Sequence, residues 1–237
     1  MKVVITGTSR GIGREAALVF LRHGHEVHGL DVAQATISAA DCPGGDGPAP
    51  AGSYTHHICD VSDKESLPEI PHAAIVINNA GVQTATERDI AVNLLGAMYV
   101  TERYAFQPDV RSVLFNASVS ALNGNEFATY AASKAGVLGY MRHCAIRLAN
   151  EYRATCNALC FGGVLTELNA PVTQDKRLWE RIMDVTPLKR WTTVAEAAAW
   201  CYFMTVTNTS CTGQAIDISC GERTCADLFV WPEEEGA

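Results

Sequence analysis

The stretch Thr6-Gly7-Thr8-Ser9-Arg10-Gly11-Ile12-Gly13 decides the reading of this chain. It joins a short apolar run, Lys2–Thr6, to a helical pattern over Ile12–Arg22 that stops at His23-Gly24. A glycine-rich loop between a strand and a helix has a defined physics. Gly7 permits the tight turn, while Gly11 and Gly13 allow backbone to approach a pyrophosphate and helix to approach sheet. Unpaired N–H groups at the helix N-terminus then face the anion. Gly7, Ser9, Arg10, Gly11, Ile12 and Gly13 form the candidate dinucleotide clamp; the plain alternative is a sharp turn.

Outward from this loop, strand-like and helix-like segments alternate. Strands are expected at Glu26–Leu30, Tyr54–Ile58, Ala74–Ile77, Ser112–Asn116, Thr155–Cys160 and Ala215–Ile218, and helices at Asp89–Phe106, Thr129–Glu151 and Val194–Met204. Ala40–Ser53, rich in Gly, Pro and Ala, reads as a loop. The pattern predicts an α/β fold: a doubly wound parallel β-sheet with helices on both faces, a Rossmann-type three-layer sandwich. A chain of 237 residues can form this as one domain, 1–237.

Net charge is −8 with no Lys/Arg cluster, which argues against nucleic acid or an anionic membrane as partner. There is no run of 18 apolar residues, and Met1-Lys2 leads straight into the first strand instead of a signal peptide. The nine cysteines are scattered without CxxC spacing, so no metal site is expected. Cys59, Cys144, Cys156, Cys160 and Cys201 fall in apolar stretches and read as core thiols in a reducing cytoplasm.

Asp31 follows the second strand, 18 residues after Gly13. A carboxylate there can accept from both adenosine ribose hydroxyls and repel a 2′-phosphate, which favours NAD over NADP. Arg10 argues the other way, since a guanidinium can pair with that phosphate. Tyr130 and Lys134 are four apart in a predicted helix and share a face. The ammonium is expected to lower the phenol's pKa from its ordinary ~10, so that it exchanges protons near neutral pH. Ser118 leaves the preceding strand at its carboxyl end, where such sheets bind ligands, with Ser120 its rival.

The whole set resembles the classical short-chain dehydrogenase/reductase family. The likeness rests on Thr6-Gly7…Gly11-Ile12-Gly13, Asp60-Val61, Asn78-Asn79-Ala80-Gly81, Asn93, Ser118, Tyr130…Lys134 and Thr212-Gly213-Gln214, over residues 1–221. The resemblance implies that Asp60 and Val61 hold the adenine, and that Asn79, Ala80 and Gly81 line the adenosine ribose. It implies Tyr130 as acid/base, Ser118 as the orienting hydroxyl, and Lys134 on the nicotinamide ribose. Asn93 would hold a water of the proton relay, and Val164 and Thr166 would meet the carboxamide. A homodimer or homotetramer through the helices at 89–106 and 129–151 is also implied.

Departures are visible. Only 12 residues separate Gly81 from Asn93, fewer than family members usually have; Phe161-Gly162 stands for the usual Pro-Gly, and Ser219-Cys220-Gly221 for Asp-Gly-Gly. A substrate lid is expected over 163–192, with Leu165, Leu168, Trp179, Ile182, Met183 and Leu188 lining an apolar pocket or packing onto the body. A tail follows at 222–237, with Phe229 and Trp231 seeking a partner surface. The expected substrate is a small or medium secondary alcohol or ketone with an apolar body, a sugar or polyol being the open alternative, and no basic patch offers itself to a phosphorylated or coenzyme A substrate. The alternatives are an NADPH-dependent carbonyl reductase and a non-catalytic dinucleotide-binding regulatory protein.

Overall fold

The computed structural model describes residues 1–42 and 52–225. The strands are β1 (Lys2–Thr6), β2 (Glu26–Asp31), β3 (Ser53–Ile58), β4 (Ile75–Asn78), β5 (Ser112–Ser118), β6 (Thr155–Phe161), β7 (Val164–Leu165), β8 (Thr192–Thr193) and β9 (Ala215–Ile218). Seven form one sheet in the order β3-β2-β1-β4-β5-β6-β9, every pairing parallel. The remaining pair, β7 and β8, makes a small separate ribbon.

Both faces of the sheet are covered, which is why its central strands are continuously apolar. Val3, Val4 and Ile5 of β1 expose nothing. Ile5, Ile77, Leu114 and Leu159 face α1 (Gly11–Arg22) and its neighbour α8 (Val194–Tyr202), through Phe20, Leu21, Ala197 and Cys201. Val4, Val76, Val113 and Phe115 alternate to the other face. There they meet Val100 and Tyr104 of α3 (Ala97–Tyr104) and Val137 and Met141 of α5 (Ala128–Arg147). The five cysteines read as core thiols are all buried.

The long helix expected at Asp89–Phe106 is a composite. It starts as α2 (Glu87–Asp89), widens into a π-helical stretch at Ile90–Gly96 and resumes as α3. Such widened turns concentrate at functional sites. Two further helices end in π-helical turns, Leu148–Tyr152 after α5 and Phe203–Thr207 after α8. β5 runs to Ser118 and β6 to Phe161, beyond the expected Asn116 and Cys160, because Ser118 pairs with Phe161 in the ladder. In the expected loop 40–53, Ser38 and Asp41 cap a short 3₁₀ turn at Ala39–Asp41, and Ser53 opens β3. Residues 43–51 of that loop, and Phe229 and Trp231 of the expected tail, lie outside the described residues. Among the described residues no helix is long and apolar enough to cross a membrane.

The strand order reverses between β1 and β4. Ligands of such sheets bind in the crevice beyond the carboxyl ends at that point.

Candidate active site

The crevice is a cleft of about 830 Å³ that opens there. Gly7 adopts φ +75° and its N–H bonds the Leu30 carbonyl at 2.7 Å. A side chain at Gly13 would collide with the Gly7 carbonyl and the Asn79 amide, so helix and loop touch only because both positions are bare. Thr6 Oγ1 accepts from the N–H groups of Asn79 (3.0 Å) and Ala80 (2.9 Å), while Asn79 Nδ2 donates to the Thr6 and Gly7 carbonyls at 2.9 and 3.2 Å. Asn116 Nδ2 in turn donates to Asn79 Oδ1 at 2.8 Å. The ends of β1, β4 and β5 are thus tied by side chains.

Asp31 braces the same end of the cleft. Its Oδ2 accepts from Ser9 N and its Oδ1 from Ala33 N, each at 2.9 Å. Asp60 Oδ1 accepts from Ser62 N and Oγ at 2.9 and 2.6 Å, with the Arg88 guanidinium 3.7 Å from Oδ2. Gly7, Arg10, Gly11, Ile12, Asp31, Asp60, Val61, Asn79, Ala80, Gly81, Ser118, Tyr130, Lys134, Val164 and Thr166 all line the cleft. Three predicted residues stand behind its wall instead. Ser9 is buried with its N–H engaged by Asp31, and Gly13 packs on Gly7. Asn93 is buried in the π-helical stretch. Its amide accepts from Val82 N (2.8 Å) and donates to Val82 O (2.9 Å) and Ser133 Oγ (3.0 Å).

Ser118, buried at the end of β5, lines the cleft together with Tyr130. Its Oγ also lies 3.0 Å from Ser120 Oγ and accepts from Ser120 N at 3.1 Å. Ser120, the rival, opens the short helix α4 (Ser120–Asn123) and acts here as Ser118's neighbour. Lys134 Nζ donates to the Asn116 carbonyl at 2.8 Å and stands 5.7 Å from the centre of the Tyr130 ring.

One expectation is reversed. Burial pushes the Tyr130 phenol up to about 12; the Ser118 hydroxyl opposes this, and the charges of Glu126 and Asp89 add to it. Burial also drives Lys134 down to about 8. The ammonium does not lower the phenol, because its hydrogen bond goes to a carbonyl and both groups lose water together.

Asp89 is fully buried, with no ion pair to a cation among the described residues. Desolvation alone would raise its carboxyl, but hydrogen bonds from Thr129, Thr84 and Ala85 outweigh this and hold it below the ordinary range. Thr84 N and Oγ1 donate to Oδ1 at 2.7 and 2.8 Å, and Thr129 Oγ1 to Oδ2 at 2.7 Å. The segment shortened before Asn93 is therefore pinned to the residue preceding Tyr130.

The far wall comes from the chain after β6. A side chain at Gly163 would run into the Trp191 indole. Trp191 meets Trp179 of α7 (Lys176–Val185) edge-on, ring centres 5.0 Å apart, so Trp179 packs instead of lining the cleft. Leu168 and Ile182 line it; Leu165 and Leu188 are exposed outside it. Glu222, beyond β9, accepts from Trp191 Nε1 at 3.2 Å. Sequence reasoning missed Gln83, Arg88, Glu126, Trp191 and Glu222, none of which sits in a motif.

A doubly wound sheet with a glycine-rich first turn, and with a buried serine, a half-buried tyrosine and a buried lysine in the cleft at its carboxyl edge, defines the nicotinamide-dependent oxidoreductases. Comparison with known proteins agrees. A family model described as enoyl-(acyl carrier protein) reductase matches residues 7–222. An L-rhamnose 1-dehydrogenase (NAD(P)(+)) of Sphingomonas sp. is 31% identical over 217 residues, 79% of this chain and 82% of that protein. A 3-oxoacyl-acyl-carrier-protein reductase of Thermotoga maritima is 28% identical over 92% of this chain and 96% of its own. The ligand-free aldohexose dehydrogenase of Thermoplasma acidophilum shares the fold with TM-score 0.79 at 23% identity, covering 98% and 97% of the two chains. The chain belongs to the short-chain dehydrogenase/reductase family. It is an NAD(P)-dependent oxidoreductase acting on alcohol and carbonyl groups.

Proposed function

We propose that the chain interconverts a secondary alcohol and a ketone with NAD, and that Tyr130 is the acid/base. The observation that carries this is the meeting of Ser118, Tyr130 and Lys134 in one cleft with the glycine-rich loop. The residues fit a dinucleotide: Gly13 has no room for a side chain, and about 830 Å³ lies beyond the loop. When bound, the nicotinamide supplies hydride exchange with the substrate carbon. Asp60 and Val61 hold the adenine, Asn79, Ala80 and Gly81 the adenosine ribose, and Lys134 the nicotinamide ribose. Val164 and Thr166 meet the carboxamide.

In oxidation, Tyr130 takes the substrate hydroxyl proton while Ser118 orients the oxygen; reduction returns it. With the phenol pushed up to about 12 and the lysine down to about 8, the resting site below pH 8 holds a neutral phenol beside an ammonium. The phenolate forms transiently, its proton leaving through the relay water near Lys134. Asn93, fixed by Val82 and Ser133, supports the helix backbone from which a relay water reaches Lys134. The chain works as one domain with residues 163–192 as lid and 222–237 as tail, and assembles as a homodimer or homotetramer.

Asp31 supports NAD over NADP. Each of its oxygens accepts one backbone N–H, leaving acceptor capacity for ribose hydroxyls. Arg10, at the edge of the cleft, favours the second reading, an NADPH-dependent carbonyl reductase. Parallel fluorescence titrations with NADH and NADPH decide between them: tighter NADH binding is expected, and tighter NADPH binding reverses the assignment. Tyr130→Phe is expected to lower kcat at least about 10²-fold at unchanged NADH affinity. An unchanged rate removes Tyr130 from the chemistry.

A further inference from the structure

Beyond the reacting group the cleft has a polar side and an apolar side. Gln83 Nε2 donates to Glu126 Oε2 at 3.0 Å, and Asn123 and Asn125 stand beside them in the lining. Val172 and Ile182, from the segment between β7 and β8, add apolar surface to the same cleft. A sugar ring is built this way, with hydroxyls at its edge and C–H groups on its faces.

Glu222 gives this side a fixed reader. Trp191 Nε1 and Thr186 Oγ1 lie 3.2 and 2.9 Å from its Oε1. Both partners are buried, so the carboxylate is oriented before any ligand arrives. Oε2 is thereby turned to the floor, 3.0 Å from where a side chain on Gly162 would begin. Gly162 follows Phe161, the ladder partner of Ser118, so this oxygen borders the reacting end of the cleft.

Charge narrows the ligand further. Among the described residues, four cations line the cleft: Arg10, Arg88, Lys134 and Arg223. Arg88 stands by Asp60 and Arg10 in the glycine-rich loop, both at the dinucleotide end. Lys134 is held by the Asn116 carbonyl, and Arg223 is paired with Asp217 at 2.7 Å. Near Ser118 only the buried Lys134 is left without a carboxylate partner among these four, and Glu126 and Glu222 repel a carboxylate or phosphate on the substrate.

We propose that the cleft accepts an uncharged polyhydroxylated substrate, a sugar or polyol, and that Glu222 reads one of its hydroxyls on the wall beyond Gly162. This rests on the alcohol–ketone reading of the same site. It chooses the sugar or polyol alternative over the apolar-bodied substrate expected from the lid sequence, of whose six side chains only Leu168 and Ile182 line the cleft.

The test compares L-rhamnose, D-glucose and cyclohexanol as alcohols, and acetoacetyl-coenzyme A with NADH as an anionic ketone. The wild-type chain is expected to favour a sugar over cyclohexanol by at least about tenfold in kcat/KM. Glu222→Ala should lower kcat/KM for the sugar by about 10–100-fold, the worth of a charge-assisted hydrogen bond, with little effect on cyclohexanol. Glu222→Gln should restore part of the loss, and NADH affinity should stay unchanged, which also reports folding. Preference for cyclohexanol or acetoacetyl-coenzyme A overturns the proposal. So does an equal loss on sugar and cyclohexanol, or a loss traced to NADH binding. Failure with all four substrates, while NADH still binds, overturns the alcohol–ketone reading itself.

Discussion

Lys134 is an ammonium with 6% of its surface exposed and one carbonyl as its hydrogen-bond partner. Below pH 8 it is charged in the folded chain and carries its full desolvation cost. Between about 8 and the ordinary 10.5, the unfolded chain still holds a proton that the folded chain has released, so stability rises with pH through that window. Lys134→Met should therefore stabilise the ligand-free protein by about 1–3 kcal/mol at pH 7, the lost hydrogen bond to Asn116 offsetting part of the gain. The advantage should vanish by pH 10.5. Thermal melts of both proteins at pH 7 and 10 check this; a variant less stable than wild type at pH 7 contradicts it. Tyr130 and Lys134 were legible in the sequence because a four-residue spacing fixes a shared helical face. The direction of their pKa shifts was not, since desolvation depends on which tertiary neighbours exclude water. Glu222 was equally hidden: its meaning comes from Trp191 and Gly162, distant in sequence.

At the scale of elements, the trimmed stretch before Asn93 is held by a buried carboxylate where a longer chain would supply packing. Asp89 joins Thr84 to Thr129 and so to the helix turn carrying Tyr130. Asp89→Ala strips three partly exposed donors, two on Thr84 and one on Thr129, of their acceptor, and a loss of about 1–2 kcal/mol is expected. Calorimetry measures that loss, while a Tm within about 1 °C of wild type shows water replacing the carboxylate at no cost. kcat should fall along with stability, because the start of α5 loses its anchor. Strand positions were legible from apolar runs such as Val3–Ile5, which only a sheet covered on both faces explains. The π-helical widening at Ile90–Gly96 was not, since its residues fit ordinary helical periodicity. What distinguishes the segment is the bond of Asn93 to both backbone groups of Val82, a contact no local pattern announces.

For the whole molecule, the described surface leaves apolar side chains uncovered on two helical regions. Ile146 on α5 is 67% exposed, and Trp200 with Phe203, at the end of α8, pack against each other while remaining 37% and 47% exposed. Sedimentation velocity is expected to show a dimer or tetramer, and Ile146→Asp or Trp200→Glu with Phe203→Glu to reduce its mass. A wild-type monomer contradicts the assembly. The chain's path also sets an order of manufacture. β1, made first, lies inside the sheet, whereas β9, near the end of the described chain, closes its edge and leads directly to Glu222 and Arg223 in the cleft wall. A nascent chain can therefore assemble its dinucleotide loop early, yet its reaction chamber stays open on one side until residue 223 is released. A chain ending before β9 would leave β6 as a bare edge strand and the cleft without Glu222 and Arg223.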